Sequence, residues 1–200
     1  MKFGIFFLIA LHGGYVKRPF LALITFFVLA LPVYSYSADA KITNATVAAV
    51  DDGVTIAFVV ADAFDKDIEE AIKSGLDTSF TFRVKIERKK TLWFDKNEAE
   101  LSFKHTVKYD TLRDEYQVTF EEDENRVERT KDALVMKSLM STCAGITLAP
   151  EGGLVKGAEY EIMAMAELHT VKLPMGLDYL LFFVKLWDFE TDWHTVIFSP

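Results

Sequence analysis

Ser79-Phe80-Thr81-Phe82-Arg83-Val84-Lys85-Ile86-Glu87 alternates apolar and polar residues without a break. A period of two sends Phe80, Phe82, Val84 and Ile86 to one side of an extended chain, and Thr81, Arg83, Lys85 and Glu87 to the other. That is a strand with one dry face and one wet face, the habit of an antiparallel sheet. The pattern repeats downstream, where Leu101, Phe103, Val107 and Tyr109 face in while Ser102, Lys104, Thr106 and Lys108 face out. Tyr116, Val118 and Phe120 then alternate with Glu115, Gln117 and Thr119, and Asp110 to Asp114 has the length of a hairpin connection.

Upstream, Ile42 to Val50 and Val54 to Ala61 flank Asp51-Asp52-Gly53, a sequence suited to the positive φ of a tight hairpin turn. Near the end, Glu159 to Val171 puts Tyr160, Ile162, Ala164, Ala166 and Leu168 on one face, and Leu180 to Trp187 and His194 to Phe198 read as two further strands. Two segments change to helical spacing. Phe64, Ile68, Ala71 and Ile72 follow one stripe, with Asp65 as N-cap and Gly75 as stop; Met136, Leu139, Met140 and Cys143 follow another, with Thr130 as cap and Gly145 as end. The acidic stretch Glu121 to Glu124 reads as a solvated loop. The expected architecture is mainly β: an antiparallel β-sandwich or strongly curved sheet of about eight strands, with two short amphipathic helices lying on it.

Half of the 200 residues are hydrophobic, enough for one domain with a sizeable core. The formal charge of −8 disfavours nucleic acid and anionic lipid as partners. Cys143 is the single cysteine, so an internal disulfide is excluded and stability must come from packing.

The amino terminus has the grammar of an export signal. Lys17-Arg18 precede a predominantly apolar run from Phe20 to Leu31, Pro32 ends it, and Ala38-Asp39-Ala40 offers small residues for cleavage. Twelve helical residues rise about 18 Å, short of the roughly 30 Å hydrocarbon core, which favours a cleaved leader over a membrane anchor. The expected division is residues 1–40 as signal peptide and 41–200 as a single β-rich domain in the periplasm or otherwise exported. An uncleaved leader, holding the protein at the inner membrane, is the alternative. A second apolar run, Phe3 to Leu11, is unusual in a leader and raises a misassigned start within residues 1–15.

Catalytic and metal-binding patterns are sparse. Behind the leader stand His105, His169 and His194, with none of the spacings that ligate a metal, and no metal or cofactor is expected. His105 falls at an inward position of its strand, as a core histidine does. Cys143 continues an apolar stripe and reads as core rather than nucleophile. Gly152-Gly153 and Gly157 precede a strand, without the lysine of a phosphate loop, and read as a turn. Asp188 and Asp192 beside Trp187 and Trp193 have the residue types of a carbohydrate site. Four residues of extended chain put the two carboxylates about 13 Å apart, however, beyond the separations glycosidases use. The favoured role of that cluster is architectural, with the aspartates capping the turn between the last two strands and Trp187 and Trp193 filling the core or covering its end.

Three segments carry a family resemblance: Ala71-Ile72-Lys73-Ser74-Gly75-Leu76, the pair Tyr109 and Tyr116 bracketing Leu112, and the tail Trp187-Asp188-Phe189, Asp192-Trp193, Phe198 and Pro200. Leu92-Trp93-Phe94-Asp95 fits an aromatic stretch between the first two. Together they resemble the bacterial envelope family catalogued as domain of unknown function 4390, over essentially the whole mature chain. The resemblance implies a leader-bearing protein of about this size with no assigned activity, often encoded near a sensor histidine kinase. It supplies no catalytic residues. The expected function is therefore non-enzymatic: contact with another envelope or membrane protein, as an accessory to a membrane sensor kinase. The alternative is a small-ligand or glycan-binding module, or a weak hydrolase, built on the C-terminal Trp/Asp cluster. Contact with a membrane is expected only if the leader is retained. Trp187, Asp188, Asp192, Trp193, Tyr109 and Tyr116 are the candidate ligand or partner residues.

Overall fold

The alternating segment around Phe82 forms the middle of a large antiparallel sheet. The computed structural model describes residues 40–51, 53–89, 96–170 and 189–200. The leader, Leu92 to Asp95 and the expected strand Leu180 to Trp187 lie outside the described residues, as do Trp187 and Asp188. Among the described residues ten strands run in chain order as β1 (Lys41–Val50), β2 (Gly53–Ala61), β3 (Thr78–Arg88), β4 (Lys96–Asp110), β5 (Glu115–Phe120), β6 (Arg126–Thr130), β7 (Thr142–Leu148), β8 (Tyr160–Thr170), β9 (Phe189–Glu190) and β10 (His194–Phe198). Helices α1 (Lys66–Lys73) and α2 (Ala133–Ser141) follow β2 and β6, and one 3-10 turn occupies Glu121–Asp123. All the described residues fall in one compact unit, Ser37–Pro200.

Two antiparallel sheets share one core. The larger has the order β10-β8-β3-β4-β5-β6, with β9 also on β8; the smaller has the order β1-β2-β7. Register follows the sequence pattern, since Phe80, Phe82, Val84 and Ile86 of β3 lie opposite Leu168, Ala166, Ala164 and Ile162 of β8, and all eight are buried. The smaller sheet adds Val54, Ile56, Phe58 and Val60 to the same core, and Phe58 meets Phe82 between the sheets. Contiguous apolar burial of this kind is the main source of stability for a domain without disulfides. Leu101 departs from expectation. Its register partner Val84 is fully buried, yet Leu101 itself remains 38% exposed.

The count exceeds the expected eight because β6, β7 and β9 were not legible locally. β6 is charged and mostly exposed, so it lacks the alternation that marks a half-buried strand. β7 follows α2 directly and takes its strand form from pairing with β2, from Val54 opposite Leu148 to Val59 opposite Thr142.

The first hairpin turn closes between Val50 and Gly53, with Asp51 in the left-handed region at φ 39°. Gly53 is required by space: a Cβ there would stand 2.6 Å from the carbonyl oxygen of Leu148. Helix α1 matches its signals. Asp65 Oδ1 accepts from the Ile68 amide at 2.8 Å, Ile68, Ala71 and Ile72 are buried, and Gly75 leaves the helix at φ 90°. Helix α2 corrects two expectations. Its N-cap is Asp132, whose Oδ1 accepts from the Leu134 amide at 2.7 Å, while Thr130 ends β6 and its Oγ1 accepts from the Asp132 amide. The helix stops at Ser141, so Cys143 is a strand residue, buried beside Phe58. Among the described residues no helix is long and apolar enough to cross a membrane.

Candidate functional site

Tyr109 and Tyr116 stand directly opposite each other at the end of the β4–β5 hairpin, with ring centroids 4.9 Å apart. Tyr116 is buried and Tyr109 half-buried. The Tyr109 hydroxyl donates to Asp114, and this bond raises its pKa above the ordinary phenol value; burial raises that of Tyr116, with the negative charges of Glu69 and Asp114 adding to it. The turn between the strands is built on Asp110, whose Oδ1 accepts from the amides of Leu112 at 3.0 Å and Arg113 at 3.1 Å. Asp114 completes it at φ 54°. This rigid turn holds Leu112 at its tip, 96% exposed.

The start of α2 lies at the same end of the sheet. Asp110 pairs with Glu115 and Tyr116 with Thr130, and Asp132 caps α2 two residues later. Leu134, 73% exposed, and the exposed Val135 therefore share that end of the fold with Leu112. Lys137 of α2 is ion-paired to Glu69 of α1, which ties the two helices together behind them. Leu134 and Val135 were missed as surface candidates because helical spacing near Met136 suggests burial. Their exposure follows from the rotation of α2, which turns Met136 and Met140 inward.

At the carboxyl end Thr191 is the organising residue. It is buried, its Oγ1 accepts from the Ala166 amide at 3.0 Å, and its own amide donates to the Ala166 carbonyl at 2.9 Å. A threonine hydroxyl thus stands in for a strand backbone between β9 and β10, which no local sequence signal announces. Asp192 is left exposed to solvent, and Trp193 is 40% exposed, with Lys85 Nζ 4.7 Å from its ring centroid. That Trp193 fills the core, one of its two expected placements, is therefore corrected. Phe189, not Trp193, supplies the core contact, edge-on to Phe80 at 5.8 Å between centroids. Trp187 and Asp188 lie outside the described residues.

The remaining chemistry-bearing residues converge below α2. His105 is 1% exposed, with Nδ1 3.1 Å from the Leu139 carbonyl oxygen and Nε2 2.8 Å from Glu122 Oε1. Glu121 to Glu124 are exposed, as expected of a solvated stretch, and from there Glu122 places its carboxylate against His105. Burial pushes the Cys143 thiol well above its ordinary range, and the Glu122 charge adds to the effect. A protonated, buried thiol is a poor nucleophile. Among the described residues no group of three or more His, Cys, Asp or Glu is placed to hold a metal ion.

No curated protein and no solved structure matches this chain. One family model does, and it covers the whole of the folded unit except its last three residues. On that match, over residues 37–197, the chain belongs to the family described as Domain of unknown function (DUF4390).

Proposed function

We propose that this chain is an exported envelope protein that acts by contact with another protein, as an accessory to a membrane sensor kinase, and not by catalysis. The observation that supports it best is the apolar group Leu112, Leu134 and Val135, held out to solvent at one end of the fold. Isolated exposed leucines are ordinary, but a nearly fully exposed leucine fixed on an aspartate-braced turn beside a capped helix start is costly to keep unless something covers it. The export signal read from residues 1–40 supports the compartment, and the family resemblance supports the sensor kinase. A photo-crosslinking residue placed at Leu112 or Leu134 in cells is expected to trap one membrane sensor kinase, while the same residue at Lys104, on the wet face of β4, traps none. Equal or absent crosslinks at all three positions would sink the proposal.

A small-ligand or glycan-binding role, or weak hydrolysis, is the second reading, favoured by the half-exposed ring of Trp193. Lys85 already covers part of that ring, which reduces the face open for stacking. Tryptophan fluorescence during titration with oligosaccharides tests it, and an unchanged spectrum removes it.

A further inference from the structure

The bond at which the export signal ends is tied down by the fold itself. Ala40 packs against the core, Lys41 opens β1 in register with Ala61, and Ile42 is 7% exposed. A peptidase binds its substrate as an extended strand, with residues on both sides of the cut held in its own cleft. Residues 40–43 cannot lie in that cleft and on β2 at once. Resting on the export signal read above, we infer that the Ala40–Lys41 bond is a processing site open only while residues 40–43 stand off β2, so that docking of this short tab and removal of the leader exclude each other.

The tab is constructed to move by itself. β1 stands at the end of the order β1-β2-β7, and its ladder with β2 is interrupted between Thr43 and Thr46, where Asn44 and Ala45 face Phe58 alone. One extra residue makes a β-bulge, and Asn44 absorbs it in the left-handed region at φ 53°. The ladder therefore falls into two lengths, residues 41–43 and residues 46–50. Losing the first leaves the second paired, which is how a strand end opens without unfolding the domain.

Three contacts hold the tab in place. Ile42 lies opposite Val60, which is also buried; the Thr43 hydroxyl donates to the Val59 carbonyl at 3.3 Å; and Lys41 Nζ is 3.4 Å from Asp62. Both members of the ion pair are well exposed, so it contributes little. Ile42 is the main fastening, because burial of a large aliphatic side chain outweighs a surface ion pair.

The reaction consumes one water and is catalysed by a membrane peptidase that reads small residues before the cut. The water oxygen joins the Ala40 carbonyl carbon and the carbon–nitrogen bond to Lys41 breaks. The leader keeps a carboxylate, and both water hydrogens end on the Lys41 nitrogen as a new α-ammonium group. The freed end then docks on β2. A chain whose tab docks first keeps its leader while the docked state lasts, so cleaved and anchored forms become two outcomes of one competition.

The test uses the whole chain, folded in detergent micelles and treated with purified leader peptidase, with loss of the leader followed by mass. A short Gly/Ser insertion between Lys41 and Ile42 keeps Ala38, Ala40 and Lys41 at the cut and gives the bond slack. That variant should be cut at least about tenfold faster than the wild type, because proteolysis of a docked segment follows the population of its open form. Ile42→Ala should also accelerate cutting, whereas Val47→Ala, beyond the bulge, should leave the wild-type rate. Equal rates for the wild type and the insertion variant overturn the inference, as does equal acceleration by Ile42→Ala and Val47→Ala. If neither the insertion variant nor the urea-unfolded wild type is cut, the export reading itself fails and this inference falls with it. Hydrogen exchange on the folded wild type needs no variant: amides bonded to β2 within residues 41–43 should exchange faster than those within residues 46–50, and equal protection overturns the tab.

Discussion

Phe58 on β2 and Phe82 on β3 meet edge to face between the two sheets, with ring centroids 5.9 Å apart and planes inclined at 66°. Both rings are essentially inaccessible to solvent, and Phe82 also stacks on Phe103 at 5.4 Å. This contact joins the sheets at their middle. Phe82→Ala is expected to cost about 3–5 kcal/mol, the range for aromatic truncation in a core. Urea unfolding followed by circular dichroism measures it; a loss below about 1 kcal/mol would mean that the sheets do not depend on this contact.

Helix α1 depends on Asp65, which satisfies an otherwise unpaired amide at its start. Asp65→Ala should lower stability by about 1 kcal/mol, and Asp65→Ser should recover most of the loss. The same pair of substitutions at Asp132 should behave alike for α2, whereas Thr130→Ala, outside the cap position, should cost less. Thermal melting of the six proteins would rank them.

Gly53 and Gly157 separate two reasons for glycine. A methyl group at Gly53 collides with the backbone of β7, so Gly53→Ala must push β2 and β7 apart and is expected to cost about 1–3 kcal/mol, as overpacking does. Gly157 has open space around it but sits at φ 78°, so Gly157→Ala costs only the left-handed conformation, about 1 kcal/mol. A smaller loss at Gly53 than at Gly157 would contradict the register of β2 against β7.

Trp193 now carries a modest stability role. Because it lies half open on the wet face under Lys85, Trp193→Ala should cost about 1–2 kcal/mol, below the 3–5 of a core aromatic, since the site can relax without leaving a cavity. Lys85→Ala should recover little of it. A loss of core size would show that Trp193 is covered in solution.

Cys143 should resist alkylation in the native protein and react once urea unfolds it. Its thiol stays protonated in the fold to well above the ordinary range, whereas the unfolded thiol ionises near pH 8.5. The folded state therefore holds the proton longer, so this contribution is complete below about pH 8.5 and is lost as pH rises further. Cys143→Ala removes that alkaline loss, which is read from urea midpoints at pH 8 and pH 10. Rapid native alkylation at pH 8 would show that the site opens.

Local sequence determined the elements whose own faces are half wet. The period of two in Ser79 to Glu87 and in Tyr160 to Leu168 reports burial on one side of a strand, and the cap-to-glycine grammar of Asp65 and Gly75 satisfies a helix within its own few residues. Tertiary structure decided what depends on a distant partner. Thr142 to Leu148 is strand because β2, some ninety residues earlier, offers it an edge, as in the pairing of Val54 with Leu148. Arg126 to Thr130 is strand without any apolar pattern, because β5 supplies the hydrogen bonds and solvent keeps the side chains. Trp193 points outward because Thr191 occupies the backbone position on Ala166, and the exposed Glu122 places its carboxylate against His105 because the ring beneath α2 has a second nitrogen to satisfy. Periodicity records which face of a segment is dry; it holds no record of which polar groups the fold will bring together across that dry face.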